Sequence, residues 1–162
     1  MNNSIGVMQG RLLPKYQGRY QAHPVGYWQE EFPIAKKLGL DCIEFILDYY
    51  RAKENPLLTD RGIYDIKALI DQTGVKIKTI CADYFMEAPL HSKDRVVSEK
   101  SQQVLIKLLN NVADLGATDV VIPCVDHSSL NSQEAVDQFV HQLEPIVVVA
   151  EKKRVNLSLE TD

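Results

Sequence analysis

The sequence predicts an α/β chain: a parallel sheet of about five strands joined by about four helices. Three observations carry this. Short apolar runs alternate with longer segments in which apolar residues recur every three or four positions. Three of the longer segments close on Leu38-Gly39, Thr73-Gly74 and Leu115-Gly116, and each leads within a few residues into another short apolar run. The unit so formed repeats at roughly 35 to 40 residues, a strand followed by a helix.

The first strand is Ser4 to Met8, ending in Gln9-Gly10-Arg11. A polar connection from Leu12 to Tyr27 follows, holding Pro14, Gly18, Pro24 and Gly26 with Arg19, Tyr20 and His23. A connection of that length is usually functional. His23, Trp28 and Tyr20 are candidates to wall a pocket as a first-loop lid. Trp28, Phe32, Ala35 and Leu38 mark the first helix, which starts late or bends at Pro33. Cys42 to Leu47 is the second strand, with Glu44 in its middle. Thr59 caps a second helix whose apolar face is Ile63, Ile66, Leu69 and Ile70. Val75 to Ala82 is the third strand, and Asp83 opens a loop through Pro89 and His91. A long helix from about Ser98 carries Val104, Leu105, Leu108, Leu109, Val112 and Leu115. Asp119 to Pro123 is the fourth strand, followed by Cys124, Asp126 and His127. Ser132 caps the last helix, with a core stripe of Val136, Phe139, Val140, Leu143, Val147 and Ala150 and a kink expected at Pro145. Val155 to Asp162 is the fifth strand. Val155, Leu157 and Leu159 face one way, and Asn156, Ser158 and Glu160 the other.

Composition narrows the function classes. The net charge is −4, and the longest basic run is Lys152-Lys153-Arg154. Phosphate binding usually leaves a basic face, so nucleic acid is not expected as the main partner. No apolar run approaches the ~20 residues of a membrane span, and Met1 to Ser4 shows no signal-peptide pattern. Cys42, Cys81 and Cys124 are odd in number and widely spaced, which fits reduced thiols in a cytoplasm. Core packing is the expectation for all three.

Two parallel architectures compete. A doubly wound sheet suits 162 residues, since a closed (β/α)8 barrel typically needs ~250. The strand ends favour the barrel. Gln9 and Arg11, Glu44 and Asp48, Asp83, Asp126 and His127, and Glu160 follow successive strands, whereas an open sheet gathers its ligand groups at one switch point. Neither GxGxxG nor GxxxxGK[ST] occurs.

IGVMQGRLLP, GRYQAHP and WQEEFPIAKKLGLDCIEFILD, followed by CADYFMEAPL, IPCVDHSSL and LSLETD, resemble the xylose-isomerase-like TIM barrels. That superfamily includes sugar-phosphate isomerases and epimerases and the endonuclease IV relatives. The resemblance spans nearly the whole chain. It implies that residues 1–162 are a single domain, the N-terminal part of a (β/α)8 barrel ending at the fifth strand: a truncated partial barrel. In such barrels a divalent metal is usually held at the ends of strands five to eight by a Glu, an Asp, a His and a second Glu. Glu160 matches the first of these, as metal ligand and catalytic base.

The implied chemistry is isomerisation or epimerisation of a sugar or sugar phosphate. A carboxylate removes a proton next to a carbonyl, and an enediolate forms. Mn²⁺, Mg²⁺, Co²⁺ or Zn²⁺ would suit the ligand set of a full-length protein, with no stable binding expected by this chain alone. Arg11, Glu44, Asp83 and His127 are the candidate substrate contacts. Arg11 either binds an anionic group or pairs with Glu44. Glu44 is a substrate residue or a salt-bridge partner, Asp83 a turn cap or a hydroxyl contact, and His127 a contact or a plain loop residue. An endonuclease IV-like nuclease and an inactive barrel serving as a binding or assembly module are the alternatives. Open strand edges at both ends predict a homo-oligomer.

Overall fold

The computed structural model describes residues 3–161. Met1, Asn2 and Asp162, which the signal-peptide and fifth-strand readings touched, lie outside the described residues.

Each apolar run forms a strand, and each amphipathic segment a helix. In chain order these are β1 (Gly6–Met8), α1 (Glu31–Lys37), β2 (Cys42–Ile46), α2 (Asp60–Thr73) and β3 (Lys76–Cys81). A one-turn helix α3 (Tyr84–Glu87), α4 (Arg95–Ala113), β4 (Asp119–Cys124), α5 (Gln133–Lys153) and β5 (Asn156–Thr161) complete the set. Thr59 accepts the Gly62 N–H and caps α2, and Ser132 accepts the Ala135 N–H and caps α5. α4 starts three residues earlier than its apolar stripe suggests, because Asp94 accepts the Val96 N–H as its cap. Pro33 is the third residue of α1, behind a 3₁₀ turn at Trp28–Glu30. The first helical N–H groups have no intrahelical acceptor, so proline costs nothing there. α5 runs unbroken past Pro145.

The five strands lie in the order β1-β2-β3-β4-β5, every neighbouring pair parallel. This order decides between the two architectures. Right-handed crossovers that always step the same way place all the helices on one face; a doubly wound sheet must reverse. The chain is therefore a curved (β/α) sheet of the barrel type.

The core lies between sheet and helices. Ile43, Phe45 and Leu47 of the β2 segment join Ile77, Ile80, Val120 and Ile122 from the next two strands. Phe32, Ile66, Leu105, Leu108, Leu109 and Phe139 meet them from the helices. Glu44 alternates onto the other, concave face. Between the Ile43–Ile77 and Phe45–Ile80 pairs, β2 advances two residues and β3 three, a bulge beside Glu44.

The helix stripes needed correction at their ends. Leu38 is 60% exposed because α1 ends at Lys37. On α5, Val140 and Val147 face out, and Ile146 is fully buried instead. Phe139, Ile146 and Ala150 are the residues α5 buries, a stripe narrower than the apolar composition suggests.

Candidate functional site at the strand ends

The first connection is fastened where a lid would be free. Glu31 is completely buried at the start of α1 and reaches back under the end of β1. Its carboxylate accepts the Gly10 N–H at 2.9 Å on each oxygen and the Leu12 N–H at 3.1 Å. Burial pushes the Glu31 carboxyl up, while the N–H groups of Gly10, Leu12 and Arg11 act against that rise. Gly10 has φ +87°, and a side chain there would run into the carbonyl oxygens of Tyr20 and Ala22.

Farther along the same connection, His23 is pinned from three sides. Its backbone N–H donates to Asp48 at 2.7 Å, and its Nδ1 lies 3.3 Å from Gln9 Oε1. Its ring packs against Trp28 and Phe45. Gln9 Oε1 also accepts the Ile46 N–H, so it can only be an acceptor; His23 Nδ1 therefore carries the proton and Nε2 the lone pair. Burial lowers the His23 pKa to about 4, so the ring is neutral at neutral pH. His23 and Trp28 are thus wedges in the packing beneath the loop. Of the three residues expected in a lid only Tyr20 is exposed, with Lys15 over its ring.

Above this braced corner the strand ends gather carboxylates. Asp48 pairs with Arg19 at 3.2 Å. Asp83 accepts the Cys81 thiol at 3.0 Å. Burial raises the Asp83 pKa, the hydrogen bond from Cys81 and the charge of Arg19 oppose the rise, and the charges of Asp48 and Glu160 add to it. The Cys81 thiol is held firmly neutral, first by burial and then by Asp83, Glu44 and Glu160. The charges of Glu44, Asp83 and Glu160 thus bear on Cys81, and those of Asp48 and Glu160 on Asp83, at the strands β2, β3 and β5.

The remaining candidates fall outside that group. Arg11 is exposed and makes no ion pair with Glu44 among the described residues. His127 is exposed on the 3₁₀ turn Asp126–Ser128 and lines a groove with His91, Ser92 and Ser129 that none of the four carboxylates enters. Cys124 is buried against the helices, its thiol raised by burial to about 11, and Cys42 is half-buried; all three cysteines are free. Sequence reasoning missed Arg19 as the cation of the rim, and Glu31 and Gln9 as the groups that shape it. The only sequence signal for Glu31 was an acidic residue in the first turn of a helix, a commonplace.

Among the described residues, no three His, Cys, Asp or Glu side chains converge in a way that could hold a metal ion. Glu160 is a single exposed donor. The residues present do not complete a metal site.

Residues 32–162 match the family described as the xylose isomerase-like TIM barrel. The chain belongs to that family. An L-ribulose-5-phosphate 3-epimerase of Escherichia coli is 25% identical over 144 residues, which is 86% of this chain and 50% of that protein. The crystal structure of the E. coli 3-keto-D-glucoside 4-epimerase superposes with a TM-score of 0.70 at 17% identity, covering 98% of this chain and 56% of that one. The D-psicose 3-epimerase of Clostridium cellulolyticum H10, solved with D-tagatose, gives 0.72 at 16% identity, covering 97% and 52%. The chain thus spans about half the length of these xylose isomerase-like relatives, and the structural likeness establishes the barrel fold.

Proposed function

We propose that this chain supplies the N-terminal half of the active-site mouth of a sugar or sugar-phosphate epimerase. The observation that carries the reading is Asp83, hydrogen-bonded by the Cys81 thiol at 3.0 Å just past β3, with Glu44 of β2 and Glu160 of β5 near enough for their charges to act on that thiol. Catalytic groups of such barrels stand at the C-terminal ends of the strands. The sugar epimerases among its relatives support the substrate class.

Epimerisation next to a ketose carbonyl needs a group to remove a proton from that carbon and a group to return it on the other face. Glu160 is the proton-abstracting carboxylate in this reading. Asp83, held toward its protonated form, suits a hydroxyl that must be met by donor or acceptor in turn. Arg19, already over Asp48, is better placed than Arg11 to offset negative charge at the mouth. A divalent metal enters only with ligands that the described residues do not supply, and Glu160 would be one of its donors. On this view residues 1–162 form the first part of a (β/α)8 barrel, and activity requires the second.

The test is proton exchange in D₂O at the carbon beside the carbonyl, followed by NMR on ketoses and ketose phosphates. The chain is fused to the C-terminal half of the E. coli L-ribulose-5-phosphate 3-epimerase. Exchange that disappears with Glu160→Gln supports the reading. A folded fusion without exchange, or one in which Glu160→Gln exchanges as fast, overturns it.

A further inference from the structure

A second concavity opens beside the strand ends, and none of Glu44, Asp48, Asp83 and Glu160 lines it. The connection Tyr49–Thr59 between β2 and α2 leans toward α4 and leaves a half-open groove of about 760 Å³. Its floor is buried: Leu58, Tyr84 and Val104 are each less than a tenth exposed. Its lip is aromatic. Tyr49 and Tyr50 meet edge to face at 5.6 Å, and Tyr49 lies 5.2 Å from Tyr84, yet Tyr49 and Tyr50 are 42% and 67% exposed. Three tyrosines grouped around a cavity, two of them exposed, are what a ring-stacking site needs, and solubility alone gives no reason for them.

The walls are cationic in a chain of net charge −4. Arg51, Lys53, Lys100 and Lys107 line the groove against a single carboxylate, Glu54, which Arg51 engages with two hydrogen bonds. That leaves Lys53, Lys100 and Lys107 without an ion pair among the described residues. Lys100, Gln103 and Lys107 lie on one face of α4, at the spacing that keeps side chains side by side. Like charges held together at a concave site, over a low-dielectric floor, focus a positive potential and draw an anion.

β2 and β3 have strands on both sides within this chain, so further strands at the sheet edges would not fill the groove. Its volume is that of a small-ligand pocket. We propose that this groove binds a small ligand combining a planar ring with a phosphate, the chemistry of a nucleoside phosphate. The ring lies against Tyr49 and Tyr50, and the phosphate faces Lys100 and Lys107. The site is separate from the epimerase reading and does not depend on it.

Isothermal titration of the chain with AMP, adenosine and ribose 5-phosphate tests this. AMP is expected to saturate, with adenosine and ribose 5-phosphate each about tenfold weaker or more. Raising the salt weakens AMP, because an exposed ion contact is screened. The double variant Lys100→Glu/Lys107→Glu, both exposed and so expected to fold, loses about tenfold or more in AMP affinity. Tyr50→Ala loses several-fold, and Lys37→Glu, outside the groove, changes nothing. Because wild type and variant are compared, sugar-phosphate binding at the barrel mouth cancels. No saturation by AMP at about millimolar concentration, or equal AMP affinity in the folded double variant, overturns the site. Ribose 5-phosphate binding as tightly as AMP and lost in the same variant overturns the ring. An acidic peptide that binds through Lys100 and Lys107 while AMP does not overturns the small-molecule occupant.

Discussion

The two ends of the sheet are built differently. At the β1–β2 end the loop over the strands is held by buried and half-buried polar contacts: Glu31 under Gly10 and Leu12, Gln9 between Ile46 and His23, and Asp48 on His23 and Arg19. At the β5 end Glu160 is exposed at the tip, Leu159 is 46% exposed, and Val140, Val147 and Val148 lie open along α5. One side of the mouth is preorganised by its own chain. The other carries the proposed catalytic carboxylate on a strand beside exposed apolar surface. Rigidity and proposed reactivity are thus on opposite edges.

The contrast breaks first at Glu31. Replacing it with Ala strips the acceptor from buried N–H groups and should cost on the order of 4 kcal/mol, read as a fall in the denaturant midpoint. A loss below about 1 kcal/mol would mean that the loop is not fastened this way.

His23 gives a pH-dependent version of the same test. Folding lowers its pKa from 6.5 to about 4, so the unfolded chain binds the proton more readily. Stability is full above pH 6.5 and drains away as the pH falls through that value toward 4. The loss amounts to about 3 kcal/mol, offset in part by Glu31 and Asp83, whose raised carboxyls favour the fold in acid. His23→Gln should flatten the thermal-melt profile between pH 6.5 and 4.5. An unchanged profile would assign the acid sensitivity elsewhere.

The β5 end should show itself in association. Sedimentation of the chain at low micromolar concentration is expected to reveal a homo-oligomer built on the strand edges and the α5 valines. Val148→Lys should weaken it about tenfold. A compact monomer with a sharp melt would show that these surfaces need no partner.

The smallest effects concern Glu160. Calorimetric titration with Mn²⁺ should show weak binding or none, since one carboxylate is too few ligands. Glu160→Gln should move stability by no more than about 0.5 kcal/mol, as expected at an exposed position without a packing role. Micromolar stoichiometric Mn²⁺ binding by the monomer would contradict the first. A large loss of stability would show that Glu160 is part of the fold and not only of the mouth.

The sequence by itself determined the elements and their order. Apolar periodicity, the Thr59 and Ser132 caps and the glycines after three helices are local signals, carried by the backbone within one turn or one strand. They placed all five strands. They pointed to Glu44 and Glu160 because a strand's alternation says which residues turn away from its apolar face, and to Asp83 because it follows directly on the third apolar run. Tertiary structure decided what depends on long-range partners. Strand order, which excluded the doubly wound sheet, is a matter of which edges pair, and no local window contains it. Glu31 meets Gly10 across 21 residues and His23 meets Asp48 across 25. A polar side chain fully buried by such a partner reads in the sequence like any surface residue. The exposure of Leu38, Val140 and Val147 has the same origin: composition makes a helix face apolar, but only the neighbour across the interface decides how wide a stripe is covered.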